Sequence, residues 1–101
     1  MRYDKLVRDK IPEIIESKGK KVTCRTLSET EYKEYLERKL DEEVAEFHES
    51  KSVEELADIL EVIAALCNTY SQYENVKIMQ IDKWAERGGF EKRICLIEVE
   101  E

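Results

Sequence analysis

Apolar and polar positions divide this chain into four stretches with helical spacing and two that alternate. From Tyr32 onward, Leu36, Leu40 and Phe47 recur at intervals that put them on one side of a helix, with Lys, Glu and Arg filling the other positions. From Leu56 to Cys67 the run through Ile59, Leu60, Val62, Ile63, Ala64, Ala65 and Leu66 is apolar on most sides, as expected of a central helix. Ser28 followed by Glu31, and Ser52 followed by Glu55, make capping-box patterns that open these two helices, predicted at about Glu29–Glu49 and from Ser52 to about Gln72. Pro12 in a first turn and Gly19 as a stop predict a short helix over Ile11–Lys18, and a fourth helix runs from roughly Glu74 to Arg87, ending at Gly88-Gly89. Two segments alternate and are β-branched, Lys21–Leu27 and Arg93–Val99. The expected architecture is all-α, an antiparallel helix bundle with a small two-stranded β element from the N- and C-terminal segments.

A length of 101 residues predicts one domain over 1–101, with much of its surface exposed unless it oligomerises. The composition, 42% hydrophobic and 41% charged, suits amphipathic helices around a modest core. Because the third helix is too apolar to be covered by two short neighbours, a homodimer or higher homo-oligomer is expected. A net charge of −7 disfavours nucleic acid, whose phosphates are bound through Lys and Arg. Cys24, Cys67 and Cys95 are odd in number and lack metal-site spacing, and no apolar run reaches membrane-spanning length. Those features predict a cytoplasmic protein with no membrane partner.

The acidic residues carry the chemistry. Glu42, Glu43 and Glu46 precede the expected turn Ser50-Lys51-Ser52, and Glu55 and Asp58 follow it. In an antiparallel hairpin Glu46 and Glu55 lie equally far from the turn, and Glu43 and Asp58 lie one step further along. At about 1.5 Å rise per residue the two levels are roughly 4.5 Å apart, close enough for one divalent ion to touch all four carboxylates. Glu43 falls in the middle of the apolar stripe, and Asp58 adjoins Val62 and Ala65, which is the wrong helical phase for solvent. A blander reading is available for the others: Glu55 as the capping-box partner of Ser52, Glu42 and Glu46 as solvated charges.

Glu42-Glu43-x-x-Glu46 followed by Glu55-Leu56-Ala57-Asp58-Ile59-Leu60 resembles the E-x-x-E and E-x-x-D signature of the all-α nucleoside triphosphate pyrophosphohydrolases, the superfamily of MazG-like enzymes and phosphoribosyl-ATP pyrophosphohydrolase. The opening Lys5-Leu6-Val7-Arg8-Asp9-Lys10-Ile11-Pro12 and the closing Glu86-Arg87-Gly88-Gly89-Phe90 resemble a small branch of it. The resemblance implies that Glu43, Glu46, Glu55 and Asp58 hold Mg²⁺, with Mn²⁺ as an alternative. Glu42, and Glu43 beside it, become the candidates for orienting water or taking its proton. It also implies a nucleoside triphosphate or related nucleotide as substrate, cleaved between the α- and β-phosphates. Phosphate binding calls for cations, and Lys83 with Arg87, joined by Lys5, Arg8 and Lys10, are the candidates.

Two departures stand out. Only eight residues separate Glu46 from Glu55, which leaves little loop for a lid, and no base-reading motif is evident. Tyr32, Tyr35, Phe47, Tyr70, Tyr73 and Trp84 sit mostly at helical core spacing, and His48 lies on the polar side. An alternative reading is therefore a catalytically inactive helical module for nucleotide binding or oligomerisation. A purely structural bundle would need basic partners facing the acids, and Lys39 is the one evident within the second helix.

Overall fold

The computed structural model describes residues 2–100, which form four α-helices: α1 (Ile11–Ser17), α2 (Glu29–Ser50), α3 (Val53–Tyr70) and α4 (Tyr73–Arg87). α2 begins where Ser28 Oγ accepts the Glu31 N–H at 3.2 Å and Glu31 Oε1 accepts the Ser28 N–H at 3.1 Å, a complete reciprocal cap. It ends at Lys51, which takes up the left-handed conformation at φ 57°. Two residues, Lys51 and Ser52, reverse the chain into α3, and α2 and α3 pack against each other as a hairpin. α4 starts after a short break, where Asn68 Oδ1 accepts the Tyr73 N–H at 2.8 Å, and stops at Gly88, whose φ of 81° disfavours any residue with a Cβ.

The expected two-stranded β element is absent: no strand occurs among the described residues. Within 93–99 the side chains of Ile94, Leu96, Ile97 and Val99 are all exposed, and Arg93 at the head of the segment sits at φ 58°, which breaks an extended run. An isolated pair of short strands gains too little without a third strand or a covering helix. The alternating pattern reports local preference, and neither segment finds a ladder partner. The protein is all-α.

Among the described residues four are buried, Leu36, Val62, Cys67 and Glu43, and one of them is an acid. The molecule is elongated, 62 × 31 × 24 Å, with a radius of gyration of 18.2 Å against about 13 Å for a compact chain of this length. No helix of the described residues is long and apolar enough to cross a membrane.

Candidate metal and phosphate site

The α2–α3 hairpin brings the two acidic clusters together. Ligand oxygens of Glu43, Glu55 and Asp58 all lie within 4.8 Å of one another, as do those of Glu42, Glu43 and Glu46. Glu43 belongs to both groups and is the most enclosed of them, 6% exposed, which follows from its position between Leu36, Leu40 and Phe47 on the inner face of α2. Asp58 and Glu55 are half-buried on the facing side of α3, whereas Glu46 is exposed at the rim.

Glu55 has left its expected capping role. Ser52 Oγ accepts the Glu55 N–H at 3.4 Å, so the hydroxyl half of the motif forms. The returning half does not, because Ser50 Oγ accepts the Ser52 N–H at 3.2 Å. The Glu55 carboxylate is thereby free to turn toward Glu43. There, burial first, then the neighbouring Glu43 carboxylate and the charge of Glu46, push its carboxyl up to about 7. Oε2 of Glu55 and Oε2 of Glu43 are both buried without a hydrogen-bond partner.

The other acids are compensated from outside the cluster. Lys39 Nζ lies 3.4 Å from Glu43 Oε1 and 3.5 Å from Glu42 Oε2, one turn back on α2. The N-terminal segment supplies two more cations: Lys5 Nζ donates to Glu42 Oε1 at 3.3 Å, and Arg8 Nη2 donates to Asp58 Oδ1 at 2.8 Å. This segment, 6–10, forms one wall of a groove of about 420 Å³ whose floor includes Tyr32, Leu36, Glu43, Asp58 and Val62. That volume is within the usual range for small-molecule sites.

Lys10 lines the groove, but Lys83 and Arg87 do not, and among the described residues neither forms an ion pair with the acids. Glu61 also lines the groove and was not singled out from the sequence. Its signal was available, since it follows Asp58 by three positions and therefore shares that side of α3.

No protein-family model matches the chain, and no solved structure matches it. A segment of 41 residues is 58% identical to part of an uncharacterized protein of Mycolicibacterium smegmatis, covering 41% of this chain and 42% of that relative. The chain thus aligns with less than half the length of the relative it matches.

Proposed function

We propose that the protein is a Mg²⁺-dependent nucleoside triphosphate pyrophosphohydrolase, cleaving the α–β phosphoanhydride to give a nucleoside monophosphate and pyrophosphate. The supporting observation is the facing pair of buried carboxylate oxygens, Glu43 Oε2 and Glu55 Oε2, that meet no donor. Burying carboxylates in contact is unfavourable unless a proton or a cation intervenes. A salt-bridge network accounts for Glu42, Glu43 Oε1 and Asp58, but it leaves Glu55 with no cation among the described residues.

The donors suit a hard divalent ion. They are all carboxylate oxygens, and octahedral ligands at 2.0–2.1 Å from Mg²⁺ lie about 3 to 4.2 Å apart, so small side-chain rotations close the observed spacing. Glu43, Glu55 and Asp58 would hold the ion, with Glu46 at the rim. When bound, it would neutralise phosphate oxygens and acidify a water. Glu42, half-buried and adjacent to Glu43, would orient that water and accept its proton. Lys39 lowers the cost of charge on both acids. Arg8 and Lys10 give the groove the cations a phosphate chain needs, and the ring of Tyr32 gives its floor a surface for a planar base.

Pyrophosphate release from a panel of nucleoside triphosphates, with Mg²⁺, with Mn²⁺ and with a chelator, tests the reading. Release from at least one substrate that stops with the chelator is expected. A nucleotide that shifts the melting temperature while no member of the panel is cleaved would establish the inactive binding module instead.

A further inference from the structure

Glu61 lines the α3 side of the groove, and the proposed reaction gives it no task. It stands apart from the ion site: among the described residues, its oxygens join neither group of acids that lie within 4.8 Å of one another. The fold does not hold it either, since among the described residues its carboxylate forms no ion pair. Asp9 also lines the groove, but on the N-terminal wall and in sequence between the cations Arg8 and Lys10.

Helix geometry fixes the level of Glu61 along the hairpin. α2 and α3 pack as antiparallel neighbours with Glu43 beside Asp58, so the groove positions succeed one another away from the turn. Measured from Glu43 and Asp58, Glu61 lies about 4.5 Å along, Leu36 and Ala65 about 10.5 Å, and Tyr32 about 16.5 Å. Those levels order a nucleotide. The ion and the phosphates it neutralises belong with Glu43 and Asp58, and like charge turns the phosphate chain away from Glu61. One bridging oxygen and one methylene carbon join the α-phosphorus to the sugar ring, which sets the sugar about one helical turn from the ion, at the level of Glu61. The base then lies over Leu36, which is buried, and Ala65, which is half-buried, and extends toward Tyr32.

We propose, resting on the pyrophosphohydrolase reading, that Glu61 is the sugar contact: its carboxylate accepts hydrogen bonds from the vicinal 2′- and 3′-hydroxyls, so that ribonucleotides are the substrates in preference to deoxyribonucleotides. An ionised carboxylate only accepts, and it offers an oxygen to each hydroxyl of the diol. At that level the hydroxyls are the donors a nucleotide has, because its phosphate and ring oxygens accept. Dinucleotide-binding folds pair an acid with a ribose hydroxyl in the same way.

Cleavage of each ribonucleoside triphosphate, compared with its 2′-deoxy and 3′-deoxy counterparts at saturating Mg²⁺, tests the contact. A preference of about tenfold in kcat/KM for the ribose forms is expected, carried by KM; that is the low end for a hydrogen bond to a charged acceptor, because Glu61 is exposed. Glu61→Leu should bring the ratio close to one by raising KM for the ribonucleotide, and Glu61→Gln, which keeps one acceptor oxygen, should retain part of it. Mn²⁺ affinity, followed by paramagnetic resonance of the free ion, should be unchanged in both variants and fall in Asp58→Asn. A parent that cleaves both sugars alike, an unchanged ratio in Glu61→Leu, equally tighter binding of both sugars through lost repulsion, or a loss of Mn²⁺ affinity in Glu61→Leu overturns the contact. Calorimetric binding of the same pairs, with Ca²⁺ in place of Mg²⁺, separates the contact from the reaction. A ribose preference in binding with no member cleaved keeps Glu61 as the sugar contact and dismisses the pyrophosphohydrolase, whereas cleavage without the preference keeps the enzyme and dismisses the contact. A chain that neither binds nor cleaves any member dismisses both.

Discussion

Arg8 and Asp58, fifty positions apart in sequence, meet at 2.8 Å across the mouth of the groove. The contact ties the N-terminal segment to α3 and occupies a carboxylate that the proposed ion would need. Both side chains are substantially exposed, so the pair is readily exchanged and contributes about 1 kcal/mol or less. In the proposed reading, loading the site and releasing Arg8 would therefore be the same event.

Arg8→Ala should tighten divalent-ion binding by up to about fivefold, the equivalent of a weak surface ion pair. Titration of the metal-free protein with Mn²⁺, followed by paramagnetic resonance of the free ion, measures this directly. An unchanged or weaker affinity would show that Arg8 does not compete for Asp58. A rise in KM for the nucleotide in the same variant would mark Arg8 as a phosphate contact as well.

Mg²⁺ or Mn²⁺ should raise the melting temperature, since an ion held by the folded cluster stabilises it by about 2.7 kcal/mol at a hundred times its dissociation constant. The measurement belongs near pH 8, above the Glu55 carboxyl held at about 7, so that ion and proton do not compete. An equal shift from a monovalent salt at matched ionic strength would mean that general screening, and no specific ion, relieves the repulsion.

Glu43→Gln and Asp58→Asn should each remove most pyrophosphate release. The first should also raise the metal-free melting temperature, because a glutamine amide can donate to the unpartnered oxygen of Glu55. Asp58→Asn should change metal-free stability little, its ion pair being exposed. Loss of stability in Glu43→Gln with full turnover would identify the Lys39–Glu43 contact as structural and dismiss the metal site.

The pH dependence of folding has a separate handle at the start of α2. Arg25 donates to both Glu31 oxygens at 3.1 and 2.9 Å, and that hydrogen bonding, helped by the Ser28 N–H, holds the Glu31 carboxyl down at about 2. A depressed carboxyl contributes stability above its unfolded value of about 4.3, and the contribution is lost as pH falls from there toward 2. Arg25→Ala should therefore make the acid limb of a melting-temperature profile shallower. A limb of the same steepness would place the acid sensitivity elsewhere.

What the sequence made legible followed from local chemistry. Ser28, Ser52, Gly19 and Gly88 bound the helices near the expected ends because caps and stops act within one turn, and Glu43 is enclosed because its helical phase leaves it no other side. The same Ser-x-x-Glu motif opens α2 and α3, yet only Glu31 closes its box. At the second site Ser50 Oγ takes the Ser52 N–H, and a hydroxyl two residues outside the motif decides what Glu55 does. The strand assignment failed where partnership mattered, since alternation in 93–99 cannot supply a neighbour and Arg93 turns away from extended geometry. Lys83 and Arg87 keep their shared side of α4, but helical spacing says nothing of how α4 departs from α3, and the groove is built without them.

Glu43 occupies an enclosed position in the hairpin, beside the buried Leu36 and Val62, that an apolar side chain could take. Selection of random variants for heat resistance alone, with no demand on activity, should enrich Leu, Met or Gln there early, because an enclosed acid is the cheapest flaw to repair. Selection under a requirement for function should hold the acid in place. Comparing the two lineages at this one codon would report whether living cells use the site, even before any substrate is identified.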